Sequence, residues 1–541
     1  MKKHGIILFL LFFMFSGQAQ QHRKEELLGG LRTERTCFDV QHYAIDVSID
    51  PEKKLLQGTS TIVFKIVEAT RKIQLDLFEN MKIDSIIFES NHNKLQYNRD
   101  YGAVFIKFEK ELQKNTEEAV TVYYSGQPLE AINAPWDGGF VWKKDKNGKV
   151  FAGVAVQGTG ASLWFPCKDS QSDEPDRGVS IKIAVPNELT AVSNGRLIEK
   201  KILQNGYTQW NWIVVSPINA YNITVNIGDY IVIQDKLADL DLNYYVLSYN
   251  ENKARTHFEE VKPMLQCFQE KFGPYPFKED GYKLIESPYL GMEHQSAVAY
   301  GNNFQKGYAG NDMSQTGIGL LFDFIMVHES AHEWFGNSIT SKDIADLWIH
   351  ESFTTYSESV LIECLYGYEK AITYINGQKS LIKNNHPVIG QFGVNFKFPD
   401  SDQYFKGALF LNTLRSVIND DRLWWDLLYK FTETYKHQII ETADVIQFFN
   451  AESGMLLTPL FNQYLHYKQL PTIIFKIKNK KLYYKWKAEA AHFTMPIDIF
   501  IESKKIRLFP TSSWKQLDLK NTVFTKNNVA TKQFLVNVLI K

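Results

Sequence analysis

Between residues 36 and 248 apolar and polar positions alternate in short runs: HYAIDVSID, GTSTIVFKIV, KIQLDLF, VTVYYSG, VSIKIAVP, TQWNWIV and YNITVNIGDYIVI. A period of two marks half-buried strands, and turn residues break the runs at short intervals, which predicts an antiparallel all-β domain. The texture changes near residue 250. In NKARTHFEEVKPMLQCFQEKF the apolar residues recur at helical spacing, and FGPYPF then stops the helix with Gly273 and two prolines. Residues 312 to 466 keep that spacing through the apolar run IGLLFDFIMV, ALFLNTLRSVI and LWWDLLYKFTETY. From Pro471 alternation returns in IIFKIKNKKLYYKWKAE and MPIDIFIE, predicting a small β-sandwich. The expected fold is multidomain α+β, with a β domain over 20–248, a mainly helical domain over 249–468 and the sandwich over 469–541.

Composition changes this picture little. A chain of 541 residues, 44% apolar and 22% charged, is that of an ordinary globular protein too long for one core. Its net charge of −1 argues against a nucleic-acid partner or an anionic membrane surface, leaving local patches open. The N-terminus says more. Lys2 and Lys3 precede the apolar run IILFLLFFMF, and small residues follow at Gly17 and Ala19. That is the layout of a secretory signal peptide over 1–19, cut after Ala19. The run is too short to span a bilayer comfortably, and no cysteine in it offers a lipid anchor. The expectation is an exported protein, periplasmic or extracellular, with no stable membrane span after cleavage. Cys37, Cys167, Cys267 and Cys364 show no CxxC spacing, so no structural zinc knuckle is indicated and buried free thiols are expected.

The candidate chemistry lies at residues 328 to 351, HESAHEWFGNSITSKDIADLWIHE. His328 and His332 stand four apart, on one face of a helix, so both imidazoles reach one metal ion. Glu329 points beside them, toward a water on the metal. Glu351, on a second helix, supplies a third ligand, and three protein ligands leave the open position of a catalytic zinc. A lone HExxH also fits a solvated helix face. Here the motif follows an apolar run, and burying two histidines and two carboxylates is costly unless a dication compensates them. Glu358, seven residues after Glu351, shares its helix face and is placed either to orient a ligand or to form a solvated salt bridge.

Four stretches together resemble the gluzincin aminopeptidases related to alanyl aminopeptidase N and leukotriene hydrolase. The first is the zinc segment itself. The second is YLGMEHQ, residues 289 to 295, similar to the family's Gly-x-Met-Glu-Asn strand. That likeness implies that Gly291 and Met292 contact substrate and that Glu293 binds its free α-amino group. Leu290 and His294 depart from the pattern, and Tyr289 would border the pocket for the first side chain. The third is QYFKGALF, residues 403 to 410, which makes Tyr404 the donor to the oxyanion. The fourth is QGTGASLWFPCKDSQSDEP, which brings Gln157 to the amine end, while a neighbouring family glutamine falls on Ala155.

The resemblance implies a β-saddle N-terminal domain, a thermolysin-like catalytic domain and one zinc per chain. It further implies peptide substrates with a free N-terminus. Many members carry a further helical domain over the site; the sequence ends after the small β domain, so a more open cleft is expected. The reading is an exported zinc aminopeptidase. The alternatives are a thermolysin-like endopeptidase, which Glu293 disfavours, and a catalytically inactive peptide-binding protein.

Overall fold

A computed structural model describes residues 20–156, 158–519 and 523–541. The expected signal segment 1–19 and Gln157 lie outside the described residues. The N-terminal alternation becomes an eight-stranded open sheet built on the long hairpin of Phe38–Asp50 with Leu55–Ile66. A register shift between Val40 and His42 breaks the alternation, so that Val40 and then Tyr43, Ile45, Val47 and Ile49 all face the core. Every pair in this sheet is antiparallel but one: Phe38–Asp50 runs parallel to Val179–Pro186. The expected all-antiparallel pattern is corrected there. Alternation reports which face of a strand is buried, not the direction of its neighbour, and here the chain returns after a long excursion through two smaller sheets.

Strands Tyr230–Leu237 and Leu240–Leu247, which alternation alone groups with the β domain, pair with each other, and the second of them pairs with Tyr282–Glu286. With Val298–Tyr300 and the edge strand Gly291–Met292 they form a five-stranded sheet. Both of its faces are buried. Leu242, Tyr244, Leu284 and Tyr300 join the core of the helical domain, whereas Tyr245, Leu247, Ile285 and Ala299 join that of the N-terminal domain. One sheet therefore couples the two domains, and the strand Gly291–Met292 sits where they meet.

The helical domain packs around a helix of nineteen residues, Trp348–Tyr366, here the glutamate helix, fifteen of whose residues are buried. Cys364 near its end is bonded to Cys267 of the helix Val261–Phe272. The expectation of free thiols is corrected for this pair and describes the other two, Cys37 and Cys167, which are free and buried. The bonded pair lies 97 residues apart, so only tertiary packing brings the thiols together. The C-terminal β domain continues the same core through Phe475 and Trp486, clustered with Tyr464 of the last helix. It consists of an open four-stranded sheet and a two-stranded ribbon. Among the described residues no helix is long and apolar enough to cross a membrane.

Candidate active site

The histidine helix, Phe324–Ala331, is buried along its whole length. Asp323 caps it by accepting from the Met326 amide at 3.1 Å. The same carboxylate accepts from His257 Nε2 and Tyr300 Oη, both at 2.7 Å, and from Asn302 Nδ2 at 2.9 Å, so the helix start is bolted to the sheet. His328 lies in the last full turn and His332 at the C-cap, one turn apart on one face. The His328 ring is stacked between Phe324 (centroids 5.3 Å) and Tyr404 (6.1 Å).

The hydrogen bonds behind the two imidazoles set their tautomers. His332 Nδ1 donates to the Phe335 carbonyl at 2.9 Å, and a carbonyl can only accept, so Nδ1 carries the proton. His328 Nδ1 donates to Glu358 Oε1, also at 2.9 Å. The other Glu358 oxygen accepts from Tyr374 Oη at 2.7 Å and Gln378 Nε2 at 3.0 Å. Glu358 is thus wholly engaged inside the protein, aiming His328 rather than facing solvent. Both Nε2 lone pairs are left to point at Glu351 Oε2, 3.6 Å from His328 and 3.4 Å from His332. Ligand atoms of these three buried residues lie within 4.8 Å of one another. Two neutral imidazoles and one carboxylate, oriented from behind, fit zinc. His350, in the same segment, is no ligand: its Nε2 already accepts from the Ser341 amide at 2.8 Å.

Beside the donors lie the other candidate groups. Carboxylate oxygens of Glu293 and Glu329 and a His332 ring nitrogen fall within 4.8 Å of one another. Burial pushes Glu329 up to about 7, a value suited to trading protons near neutral pH. Burial also raises Glu293. Tyr404 Oη donates to Glu351 Oε1 at 2.9 Å. Burial and the Glu351 charge keep its phenol protonated, hence a donor. All of these line a cavity of about 350 Å³ whose walls include Gly291, Tyr308, Phe324 and, from the N-terminal domain, Pro135 and Trp136.

Two glycines let the elements approach. A Cβ on Gly291 would meet Ile325 Cγ2 at 2.5 Å, so the edge strand lies directly on the histidine helix. A Cβ on Gly407 would meet Ser352 Oγ at 1.7 Å, where the helix Asp402–Ile418 crosses the glutamate helix. Ser352 Oγ donates across that crossing to the Gln403 carbonyl at 2.6 Å. Gly407→Ala is expected to push the helices apart and carry Tyr404 away from Glu351. The cost is about 1–3 kcal/mol by overpacking, with a fall in turnover. Thermal unfolding and kcat measured on the same preparation check it; an unchanged Tm and kcat would refute the tight crossing.

The Met292 side chain is buried in the N-terminal core. Tyr289 is likewise buried, its hydroxyl donating to the Val154 carbonyl at 2.9 Å. Several contributors carry no sequence signal. Asn337 Nδ2 donates to the Glu293 carbonyl at 2.8 Å and its Oδ1 accepts from Asn222 of the N-terminal domain at 2.9 Å. That chain fixes the Glu293 backbone from both domains. Tyr374 and Gln378 behind Glu358, and Trp136 in the cavity wall, are equally invisible, because isolated polar or aromatic residues have no spacing to betray them.

His294 is fully buried, and neither ring nitrogen has a partner among the described residues. Burial lowers it from 6.5 to about 3, so the folded chain holds it neutral. A lowered histidine stabilises fully above its unfolded value and loses that contribution as pH falls below it. Replacing His294 with asparagine is therefore expected to remove a deficit that grows by about 1.4 kcal/mol per pH unit below 6.5. Tm against pH for both chains tests this; parallel curves down to pH 4 would contradict it.

Residues 39–221 match the family model of the peptidase M1 N-terminal domain, and residues 256–464 that of the peptidase family M1 domain. Human endoplasmic reticulum aminopeptidase 1 is 24% identical over 317 residues, 56% of this chain and 33% of that protein. Aminopeptidase M1 of Arabidopsis thaliana is 25% identical over 340 residues, covering 59% and 37%. A probable aminopeptidase 2 of Sulfurisphaera tokodaii is 20% identical over 383 residues, covering 67% and 48%. The matched regions thus span a third to a half of these relatives. The crystal structure of an M1 zinc metallopeptidase variant from Deinococcus radiodurans, bound to a Tyr-Ser-Ala substrate, superposes with a TM-score of 0.66. It is 19% identical, covering 82% of this chain and 96% of that one. By both of its matched domains this chain belongs to the M1 peptidase family, the gluzincin group that its motifs resemble.

Proposed function

We propose that the chain is an exported zinc aminopeptidase that releases N-terminal residues from peptides. The observation that carries this reading is Glu293, a buried carboxylate within 4.8 Å of Glu329 and His332 at the end of an edge strand. A fixed negative charge at that point pairs with an α-ammonium and penalises an acylated or continuing chain, which has none. The peptide adds as a further strand along Gly291–Met292, whose opposite edge is paired to Val298–Tyr300.

Zinc held by His328, His332 and Glu351 would polarise the scissile carbonyl and make water acidic enough to react at neutral pH. Glu329 takes a proton from the attacking water and delivers it to the departing amine. Tyr404, protonated and already aimed across Glu351, donates to the oxygen that gains charge in the tetrahedral state. Glu358, Tyr374 and the Phe335 carbonyl hold the imidazole tautomers throughout. An endopeptidase would gain nothing from Glu293, and an inactive binding protein would have no use for Glu329 and Tyr404 beside the metal donors.

A peptide with a free amine and its N-acetylated form, each assayed with and without chelator, decide the matter. Hydrolysis of the free form alone, abolished by chelator and restored by zinc, is expected. Equal cleavage of both would refute the exopeptidase reading. Export is supported by the pattern of residues 1–19 and by the Cys267–Cys364 bond, which an oxidising compartment maintains. An intact mass beginning at Gln20 with two titratable thiols is the expected result.

A further inference from the structure

The near-neutral charge of the whole chain conceals a division. Residues 469–541 hold thirteen lysines and one arginine against four acidic residues, a formal +10 in a chain whose total is −1, so residues 1–468 carry −11. The fold gathers much of this positive charge on one side of the four-stranded sheet. Strands Thr472–Lys478 and Lys481–Lys487 pair antiparallel, turning Ile473, Phe475, Leu482 and Trp486 into the core. Alternation turns Lys476, Lys478, Lys481 and Lys485 to the opposite face. Lys478 stands directly across from Lys481, an arrangement that works against folding. In the four strands of this sheet Asp518, beside Lys481, is the one carboxylate. The domain's ion pairs among the described residues join Lys505 and Arg507 to Asp498 on the separate ribbon and touch none of these four lysines.

Aromatic side chains border the charge. Lys485 Nζ lies 5.1 Å from the Trp514 ring. Trp514 is 43% exposed and Phe509 61%, both on a connection pinned to the sheet by the Trp486 amide donating to the Thr511 carbonyl at 2.8 Å. Lysines on an open sheet face beside an exposed indole, with an exposed phenyl in the same connection, match a lipid headgroup layer. The ammonium groups meet phosphates, and the rings sit at the polar–apolar boundary. A nucleic acid calls instead for an element that enters a groove or for a channel that tracks its backbone.

We propose that this lysine-rich face of the C-terminal sheet docks the protein onto an anionic phospholipid surface, with Trp514 and Phe509 seated among the headgroups. The full chain is sedimented with vesicles of phosphatidylcholine alone and of phosphatidylcholine containing phosphatidylglycerol. Binding is expected only to the anionic vesicles, lost at high salt. Converting Lys476, Lys481 and Lys485 together to glutamine is expected to weaken it about 100-fold. Trp514→Ala tests the aromatic contribution separately, and unchanged thermal unfolding of each variant shows that folding is intact. The proposal is overturned by absent binding, by equal binding to both vesicles, or by triple-variant binding equal to the parent's. It is also overturned if the chain self-associates at low salt, or binds duplex DNA, while ignoring the vesicles.

Discussion

Glu329→Gln is expected to leave the fold and the zinc content as they are and to lower kcat by about 10²–10⁴-fold, the range for loss of a positioned general base. The reason for the separation is geometric. On the proposed reading zinc is held by His328, His332 and Glu351, whose donor atoms converge, with the two histidine rings aimed by Glu358 and the Phe335 carbonyl. Glu329 stands beside that set, and glutamine preserves its size while removing its basicity. A carboxyl that burial raises can both accept and return a proton. Metal analysis, circular dichroism and turnover of an aminoacyl fluorophore measure the three quantities independently. A variant that turns over normally would remove Glu329 from the mechanism, and one that loses zinc would make it a ligand.

Glu293→Ala is expected to lower kcat/KM for free-amine peptides by about 10²–10³-fold, because truncating one partner of a buried charge pair costs several kcal/mol. N-acetylated peptides, which have no ammonium to lose, are expected to change far less. The two substrates should therefore converge. The convergence is more telling than the loss, since general damage to the site would depress both together. If the ratio between them stays at its original value, the amine is held by some other group.

Much of this site is legible in the sequence because its parts depend on local spacing. His328, Glu329 and His332 sit within five residues, and the helical repeat alone brings the histidines to one face. Glu351 follows in the next helix, at a separation short enough to recognise. Glu293 and Tyr404 are different. Each is one carboxylate among many or one of 27 tyrosines, and only resemblance to a family singles them out. The strand at Gly291–Met292 illustrates the limit: its apolar character is visible, yet the face that Met292 presents depends on which core it packs against.

A repeat of two or 3.6 residues is therefore enough to encode the strands, the helices, the two-histidine face and its buried setting. Everything that joins distant segments depends on the folded chain. It assigned the strands Tyr230–Leu247 to the sheet beneath the catalytic helices and bonded Cys267 to Cys364. It set Tyr404 against Glu351 through the close crossing at Gly407, and turned scattered lysines of the last strands into one face. Local periodicity says which side of an element is buried. Which partner buries it depends on packing between segments far apart in the chain, and no short window of sequence contains that information.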